Sequence, residues 1–455
     1  MADPRVIIVG AGPAGTRAAE RLVQAGLRPI VVDEGSANGG QIYRRQPTNF
    51  RRPGKALYGF EAAKARSVHA AFDALKGAID YRPNTLAWSV FGGRLNLASP
   101  AGNESVAYDA LILATGATDR IFPVPGWTLP GVTSLGGAQI ALKAQACAIG
   151  AQPVFLGTGP LLYLVAYQYA KAGARPAMVL DTSPYSARLK ALPDLAARPA
   201  MLAKGLYYTA WLKRHGVPVL SGVTPVAIEG ETGVARVRFR DKRQIEREVA
   251  CDAVGLGFGL RSETQLADLA GCRFAFDSLA RQWLPETDPD GRSSVRNVYI
   301  AGDGARIAGA DAAEAAGRLA VCALLADCSR HVSQAELAQC RNALAPMARF
   351  REGLERAFPW PHRLASSFPD DALVCRCEAI TAGELRRSAK DLGAPEVNRA
   401  KAFSRVGMGR CQGRYCGLAG AEIMAAALGV PLDAVGRLRG QAPVKPLPLA
   451  TEPAA

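Results

Sequence analysis

The decisive stretch of this sequence is Val6-Ile7-Ile8-Val9-Gly10-Ala11-Gly12-Pro13-Ala14-Gly15. Its first four residues are β-branched and apolar, which predicts a buried parallel strand. Gly10 then permits a tight turn, Gly12 lets a pyrophosphate approach the bare backbone, and Gly15 lets the following helix pack closely on the strand. Free N–H groups and the positive dipole end of that helix favour phosphate, so the stretch predicts a dinucleotide-binding site.

A ribose-binding acid is expected at the end of the next strand. Pro29-Ile30-Val31-Val32 predicts that strand, and Asp33 and Glu34 follow it. An acid about 20 residues beyond the glycines commonly binds a ribose hydroxyl group. Asp33 has the better register, and Glu34 is the alternative. The order of strand, glycines, helix, strand and acid favours a nucleotide site over a glycine-rich turn in an unrelated α/β domain.

Three later segments carry further candidate contacts to a flavin nucleotide. Gly39-Gly40-Gln41-Ile42-Tyr43-Arg44 offers paired glycines and an amide to an isoalloxazine ring, with a plain surface loop as the alternative. Ala114-Thr115-Gly116 ends an apolar strand at the point where two-dinucleotide flavoproteins cross between domains. Gly302 and Asp303 end a later strand, and the Asp303 carboxylate would meet the ribityl or pyrophosphate part. The alternative for Asp303 is a helix N-cap.

A second βαβ pattern begins at Pro153, but its glycine motif is incomplete. Leu162 stands where the third glycine belongs, and its side chain would push the helix away from the strand. No arginine pair follows to bind a 2′-phosphate, although Asp181 can still hold a ribose. We expect a retained scaffold here, with binding of NAD or another adenine nucleotide as the alternative.

The composition is that of an ordinary soluble protein with two or three domains, because 455 residues are too many for one core. The net charge of +15 comes from scattered Lys and Arg, so an acidic protein partner or an anionic surface is expected rather than nucleic acid. No apolar run reaches the ~18 residues of a membrane span, and the first strand begins too near Met1 for a signal peptide. We expect a cytoplasmic protein, with the periphery of the inner membrane as the alternative.

Four of the ten cysteines form two close pairs, Cys375 with Cys377 and Cys411 with Cys416. Four thiolates suit an iron–sulfur cluster or a structural zinc ion. Zinc sites usually separate paired cysteines by at least two residues, so the single residue between Cys375 and Cys377 favours iron and sulfur. Glycines around the second pair let the loop wrap a cluster and present N–H groups to its sulfurs. Zinc and unligated thiols are the alternatives.

Taken together, these segments resemble the α subunits of heteromeric flavin-dependent amino-acid and opine dehydrogenases, over nearly the whole chain. This group includes octopine and nopaline oxidases, D-hydroxyproline dehydrogenase, dye-linked L-proline dehydrogenase and hydrogen cyanide synthase. The resemblance rests above all on Cys375-Arg376-Cys377 with Gly407-Met408-Gly409-Arg410-Cys411-Gln412-Gly413-Arg414-Tyr415-Cys416. That pattern is similar to a bacterioferritin-associated-ferredoxin-like [2Fe-2S] domain.

The resemblance implies an α/β fold with two interleaved Rossmann-like dinucleotide-binding domains, as in glutathione and thioredoxin reductases, and a small C-terminal helical [2Fe-2S] domain. We expect five regions: a discontinuous FAD-binding domain (1–122 and 285–335), a degenerate NAD(P)-like domain (123–284), a helical linker (336–365), the [2Fe-2S] domain (366–435) and a proline-rich tail (436–455). The composition of the tail favours disorder or a position on a partner.

The resemblance also implies that the subunits of the complex have different roles. In such complexes a β subunit with its own FAD oxidises a C–H bond next to an amine, FMN often lies between subunits, and the α subunit passes electrons to a quinone or other carrier. We therefore expect an electron-transfer subunit with FAD and [2Fe-2S] that acts on an opine or secondary amino acid only within a complex. In some members the α site holds another adenine nucleotide. A stand-alone NAD(P)H-dependent flavin reductase and a non-catalytic iron–sulfur scaffold are the alternatives.

Overall fold

The computed structural model describes residues 3–47, 49–50 and 52–447. The N-terminal part is built on a five-stranded parallel sheet. In spatial order its strands are Val298–Ile300, Ala110–Leu113, Val6–Val9, Ile30–Val32 and Asp80–Arg82. One edge strand comes from far along the chain, so this domain is discontinuous. The strand Val6–Val9 is buried on both faces of the sheet, as its uninterrupted apolar sequence predicts.

Two helices cover one face of this sheet and pack directly on each other: Pro13–Gln24, which follows the glycine turn, and Ala310–Asp327. A side chain at Gly317 would meet the Ala14 carbonyl oxygen at 2.1 Å, so only glycine permits this close approach. Arg17 is buried at the same contact and donates to Glu314 at 2.7 Å. The packing brings the N-termini of both helices to the same end of the sheet.

The second domain is built on another five-stranded parallel sheet. Its strands, in spatial order, are Val219–Ser221, Met178–Asp181, Pro153–Thr158, Ala253–Phe258 and Val132–Ser134. Leu162, on helix Pro160–Lys171, is fully buried with Phe155 and Tyr169 in the core of this domain. The side chain that replaces the third glycine is therefore part of the hydrophobic packing between helix and sheet.

Smaller elements cover and connect the two domains. The remaining strands form antiparallel sheets: Leu86–Phe91 with Arg94–Ser99 and Gly102–Ala107, Thr224–Glu229 with Arg236–Arg240 and Glu246–Ala250, Ala117–Asp119 with Leu260–Ser262, and Phe274–Asp277 with Gln282–Pro285. The remaining helices are Gly54–Tyr58, Ala62–Asp73, Leu135–Ala144, Tyr185–Lys190, Leu192–Leu195, Pro199–Arg214 and Gln265–Leu269. In the part of the chain that the structure describes, no helix is both long and apolar enough to cross a membrane.

A long helix, Gln334–Ala357, leads to the C-terminal domain. The C-terminal domain contains a small hairpin and three helices: Leu373–Cys375 with Ile380–Thr381, then Ala382–Lys390, Val397–Ser404 and Cys416–Leu428. Glu422 on its last helix joins it to the rest of the chain. The Glu422 carboxylate accepts two hydrogen bonds from Arg281, at 2.8 and 2.7 Å, and a third from Trp360.

Residues 436–447, which we call the C-terminal strap, pack back on this chain. Arg437 makes a two-pronged ion pair with the buried Asp268, at 2.7 and 2.8 Å. Val444 is buried and donates its N–H to the Trp88 carbonyl oxygen at 3.0 Å. The sequence favours a disordered or partner-bound tail, but here charged and apolar side chains bind it to both the nucleotide-binding and C-terminal parts. Residues 448–455 of the predicted tail lie outside the described residues.

The expected α/β fold, with two interleaved nucleotide-binding folds and a small C-terminal helical domain, is confirmed. The exact domain boundaries stay a prediction.

Candidate flavin site and iron–sulfur centre

The glycine turn forms a cradle at the N-terminus of helix Pro13–Gln24. Side chains at Gly10 and Gly15 would meet the backbone oxygens of Ala114 and Gly10 at 2.3 and 1.8 Å, so the fold itself requires both glycines. Gly12 differs, because the atom nearest to an added Cβ is the Gly40 Cα at 3.7 Å. The fold therefore leaves room in front of Gly12, where the first N–H groups of the helix have no intrahelical partner. This arrangement fits a pyrophosphate.

Asp33 is the acid that the structure brings to the glycine turn. Its two carboxylate oxygens accept the N–H groups of Ala11 and Gly35, each at 2.6 Å. Burial raises the pKa of Asp33, and the two backbone donors oppose that rise. Glu34, the alternative acid, is exposed and paired with Lys445 of the C-terminal strap. The role of Asp33 as a ribose ligand stays a prediction.

The loop from Gly39 to Arg44 lies against the glycine turn. Gly39 donates its N–H to the Ala11 carbonyl oxygen at 2.9 Å, and a Cβ at Gly40 would lie 3.0 Å from the Gly12 Cα. Gln41 is exposed, and its amide oxygen accepts a hydrogen bond from Arg44 at 2.7 Å. The predicted flavin-side loop is therefore beside the cradle, although the Gln41 amide is engaged within the loop.

The two remaining flavin motifs lie at the same end of the first sheet. The Thr115 hydroxyl, between Ala114 and Gly116, donates to the Glu263 carbonyl oxygen at 2.6 Å. A Cβ at Gly302 would lie 2.9 Å from the Ala14 Cβ, so this turn is also beside the cradle.

Asp303 has the N-cap-like arrangement that is its alternative interpretation. Its Oδ1 accepts the N–H groups of Ala308 and Gly309, at 2.8 and 3.0 Å, just ahead of helix Ala310–Asp327. Among the described residues its Oδ2 has no hydrogen-bond partner. The Asp303 Oδ1 therefore stabilises the loop, whereas the Oδ2 can still accept a hydrogen bond from a ligand.

Asp181, which could bind a ribose in the second βαβ unit, is instead bound by other side chains of this chain. Asp181 is fully buried, and its Oδ2 accepts hydrogen bonds from the Tyr163 hydroxyl and from Arg188, each at 2.6 Å. Its Oδ1 accepts the N–H and hydroxyl of Ser183, each at 2.7 Å. The Arg188 guanidinium also lies over the rings of Tyr163 and Phe358. The Asp181 carboxylate thus has a full set of internal partners.

The four cysteines of the C-terminal motif meet at one place. The Cys416 thiol is in hydrogen-bonding contact with the thiols of Cys375 and Cys411, and the Cys411 thiol also contacts Cys377. These contacts lower the pKa of Cys375 to about 6 and that of Cys411 to about 5, and they raise that of Cys416. All other cysteines stand apart from this group.

Four thiols can hold either one zinc ion or a binuclear iron–sulfur cluster. One zinc needs all four thiolates at about 2.3 Å from a single point. A binuclear cluster needs two thiolates for each iron. Within the described ranges, no three or more His, Cys, Asp or Glu side chains are arranged to hold a single metal ion.

A glycine-rich loop, residues 407–417, closes around these thiols, and we call it the cluster loop. A side chain at Gly409 would meet the Cys377 Cβ at 2.2 Å, so the loop can approach Cys377 only without one. Leu438 of the C-terminal strap packs against Gly407 and Gly413 from outside. The Arg376 guanidinium lies 4.6 Å from the centre of the Tyr415 ring. The chain thus supplies thiols, space and positive charge for a cluster of net negative charge.

A short segment, residues 260–265, connects the flavin motifs with the cluster loop. Glu263 donates its N–H to the Gly116 carbonyl oxygen at 3.0 Å, and its carboxylate accepts from Arg414 Nε at 2.6 Å. Arg261 is partly buried and donates to the Arg414 carbonyl oxygen at 3.0 Å. The Gln265 amide donates to the Gln412 carbonyl oxygen at 2.6 Å.

Sequence reasoning missed this segment. Arg414 lies beside the cysteines in the sequence, but no local pattern indicates that Glu263, 151 residues away, is its partner.

The histidines offer no acid–base pair that would assign a catalytic residue. His69 Nε2 lies 2.8 Å from the Tyr43 carbonyl oxygen, and His215 Nδ1 lies 2.8 Å from that of Trp211. These rings therefore bond to the backbone, as does His362. Catalytic residues in this chain stay unknown, as they are from the sequence.

Comparison with protein families agrees with this geometry. The profile described as "Pyridine nucleotide-disulphide oxidoreductase" matches residues 4–317, and the "BFD-like [2Fe-2S] binding domain" matches residues 373–426. The first match spans both nucleotide-binding folds, and the second includes all four cysteines. FAD and a [2Fe-2S] cluster, the two cofactors expected from the sequence, are confirmed for this chain.

Individual relatives resemble the chain over nearly its full length. The A subunit of opine oxidase from Agrobacterium tumefaciens (strain Ach5) is 40% identical over 98% of this chain and 90% of the relative. Hydrogen cyanide synthase subunit HcnB of Pseudomonas aeruginosa is 32% identical over 98% of this chain and 97% of the relative. The crystal structure of L-proline dehydrogenase from P. horikoshii superposes with a TM-score of 0.74 at 19% identity, covering 98% of this chain and 79% of that one, which supports the fold.

With a glycine cradle that fits a pyrophosphate in the first domain, four converging thiols in the last and these full-length relatives, the chain belongs to the pyridine nucleotide-disulphide oxidoreductase family, and it is a flavin and [2Fe-2S] oxidoreductase of the group that includes the A subunit of opine oxidase.

Proposed function

We propose that this chain is the electron-transfer subunit of a heteromeric dehydrogenase that oxidises an opine or a secondary amino acid. A second subunit with its own FAD removes the hydride from the carbon next to the amine. This chain takes the electrons from that flavoprotein and passes them through its [2Fe-2S] cluster to a quinone or another carrier. The names of the relatives, which are the A subunit of opine oxidase and the HcnB subunit of hydrogen cyanide synthase, support a multi-subunit assembly.

The single observation that carries this proposal is the direct link through Glu263. Its backbone bonds to Gly116 and Thr115 of the flavin motifs, and its carboxylate bonds to Arg414 of the cluster loop. A flavin supplies two-electron chemistry and an iron–sulfur cluster carries single electrons, so the two groups together can split an electron pair. The residues of this chain hold both groups in one rigid frame.

The substrate site is proposed to lie on the partner chain. Recognition of an amino-acid carboxylate usually uses a positioned arginine, and hydride removal needs a dry pocket beside the flavin. Three of the four histidines, His69, His215 and His362, bond to backbone carbonyl groups and show no acid–base pair for this step. FMN at the subunit interface remains part of this proposal.

The test is reconstitution. The purified chain alone should not reduce an artificial dye with nopaline, octopine, proline or hydroxyproline as donor. Addition of the flavoprotein subunit encoded beside it should restore turnover with at least one of these donors. Robust turnover by this chain alone would refute the assignment. Failure of every such donor in the complete complex would refute the proposed substrate class.

A stand-alone NAD(P)H-dependent reductase is the competing function, and the second domain argues against it. A nicotinamide dinucleotide needs a ribose partner there, but Asp181 is saturated by Tyr163, Ser183 and Arg188. The flavin of the isolated chain should therefore stay oxidised in anaerobic NADH or NADPH. Rapid bleaching of the flavin absorbance by either nucleotide would favour the reductase.

A further inference from the structure

Lys143 is a buried cation that has no counter-ion among the residues that the structure describes. It lies in the last turn of helix Leu135–Ala144 in the second domain, and it is only 4% exposed. Its Nζ makes one long hydrogen bond within the described chain, donated over 3.4 Å to the Ile42 carbonyl oxygen in the first domain. A buried ammonium group is costly unless its charge and its donors are met. The negative end of one helix dipole offsets only a small part of that cost.

A second cation lies near the same point. Arg44 follows Ile42 in the flavin-side loop, and its guanidinium donates to the Gln41 amide oxygen. Its Nε is buried and has no partner in the described part of the chain. Burial and then repulsion from Arg44 lower the pKa of Lys143 to about 8. Asp33 acts on Arg44 at longer range. Neither cation forms an ion pair with any carboxylate among the described residues.

The two cations stand on opposite sides of the boundary between the two nucleotide-binding folds. Arg44 ends the loop that begins at Gly39, and Gly40 of this loop packs against Gly12 in the cradle. The protein therefore places two cations beside a nucleotide site, and among the described residues neither of them has a carboxylate in ion-pair contact. A structural role alone does not account for this, because an apolar side chain at position 143 would fill the space without the cost of desolvation.

We propose that Lys143 and Arg44 together bind the negative charge of the flavin nucleotide at the boundary of the two domains. Two parts of that nucleotide can bring such charge. One is a phosphate group. The other is the ring after it has gained two electrons and one proton, which leaves it with one net negative charge. The inference requires the flavin that this family binds, and it does not depend on the proposed electron route.

The test compares Lys143→Met with Lys171→Met. Lys171 also lies in the last turn of a helix in the second domain, but it is exposed, so it controls for loss of a lysine charge. Two quantities are measured on each protein. Redox titration of the holoprotein with dithionite and indicator dyes gives the midpoint potential of the flavin. Rebinding to the flavin-free protein gives the affinities for FAD, FMN and riboflavin.

If the two cations bind the reduced ring, Lys143→Met should retain its flavin. Its equilibrium between reduced and oxidised flavin should shift at least tenfold toward the oxidised form, compared with the wild type. That shift is a fall of about 30 mV in the midpoint potential of a two-electron couple. A site for phosphate predicts at least tenfold weaker binding of FAD or FMN, with riboflavin binding unchanged. Lys171→Met should match the wild type in both measurements.

The proposal is overturned if Lys143→Met changes neither quantity by more than twofold while its circular dichroism matches the wild type. If Lys143→Met does not fold, Arg44→Gln carries the same test, because Arg44 is only partly buried and its loss leaves the helix intact. In that case unchanged potential and unchanged affinity in Arg44→Gln overturn the proposal.

Discussion

Arg414 Nε lies 2.6 Å from Glu263 Oε2, and this buried ion pair joins the cluster loop to the segment that contacts the flavin motifs. Both side chains are shielded, with 9% and 14% of their surfaces exposed. Burial opposes the charge on Glu263, but Arg414 outweighs that effect and lowers the pKa of the carboxyl group. The pair is therefore charged at neutral pH.

Glu263→Gln should destabilise the chain by about 3–5 kcal/mol, because it leaves the Arg414 guanidinium buried without its anion. Unfolding in urea at pH 7 measures this loss. The folded pKa of Glu263 lies below the usual value of 4.5, so its contribution is complete above pH 4.5 and disappears as the pH falls through the folded pKa. The difference between wild type and Glu263→Gln should therefore shrink in acid.

Equal stabilities at pH 7 would show that the pair contributes nothing. Glu246→Gln, in an exposed pair with Arg238, is the matched control and should change stability by less than about 1 kcal/mol.

Gly12→Val should remove the flavin while the fold remains. Its added atoms enter the space in front of the helix, since the nearest protein atom to a Cβ there is 3.7 Å away. The flavin content after gel filtration and the far-ultraviolet circular dichroism measure the two effects. Gly15→Val should instead impair folding, because a Cβ there would lie 1.8 Å from the Gly10 carbonyl oxygen. Full flavin content in folded Gly12→Val protein would place the pyrophosphate elsewhere.

Cys411→Ala should abolish the iron–sulfur cluster, and Cys340→Ala should preserve it. Cys411 contacts the thiols of Cys377 and Cys416, whereas Cys340 is buried in the long helix, away from the four. Iron and acid-labile sulfide are measured on anaerobically purified protein. About two of each per wild-type chain are expected from the [2Fe-2S] type. Zinc without iron in that preparation would contradict the assignment of the thiols.

Lys143→Met should make the flavin-free chain more stable at pH 7, by roughly 1–3 kcal/mol. The folded pKa of Lys143 is about 8 against 10.5 in the unfolded chain, so between these values the unfolded chain binds more protons. The wild type therefore gains stability as the pH rises through this window, and the advantage of the variant should decrease toward pH 10. Thermal unfolding from pH 6 to pH 10 measures both trends. A constant difference across this range would mean that folding does not shift the pKa of Lys143.

Local patterns in the sequence predict the parts of this molecule whose chemistry is local. The glycine turn, its strand and the four cysteines lie in short segments, and each geometry depends on neighbouring residues. Helix Gln334–Ala357 overlaps the predicted helical linker, even though Pro346 lies inside the helix. The first helix begins at Pro13, because proline is well suited to the first turn.

The features that sequence reasoning could not find are pairings between distant residues. Asp181 looks available for a ribose in the sequence, and only the fold brings Tyr163, Ser183 and Arg188 to it. Lys143 looks like an ordinary helix-terminal lysine, and only the fold buries it beside Ile42. In each case the packing of the hydrophobic core brings the polar side chains together, so neither segment alone predicts the pairing.

The C-terminal strap has a consequence for the order in which the molecule is assembled. Its residues leave the ribosome after every other described element, and they contact parts made much earlier, including Trp88, Asp268 and the cluster loop. While the strap is still being synthesised, the outer side of the cluster loop lacks Leu438. Until the strap docks, the cluster loop lacks this cover, so docking of the strap is the step that shields the outer side of the loop.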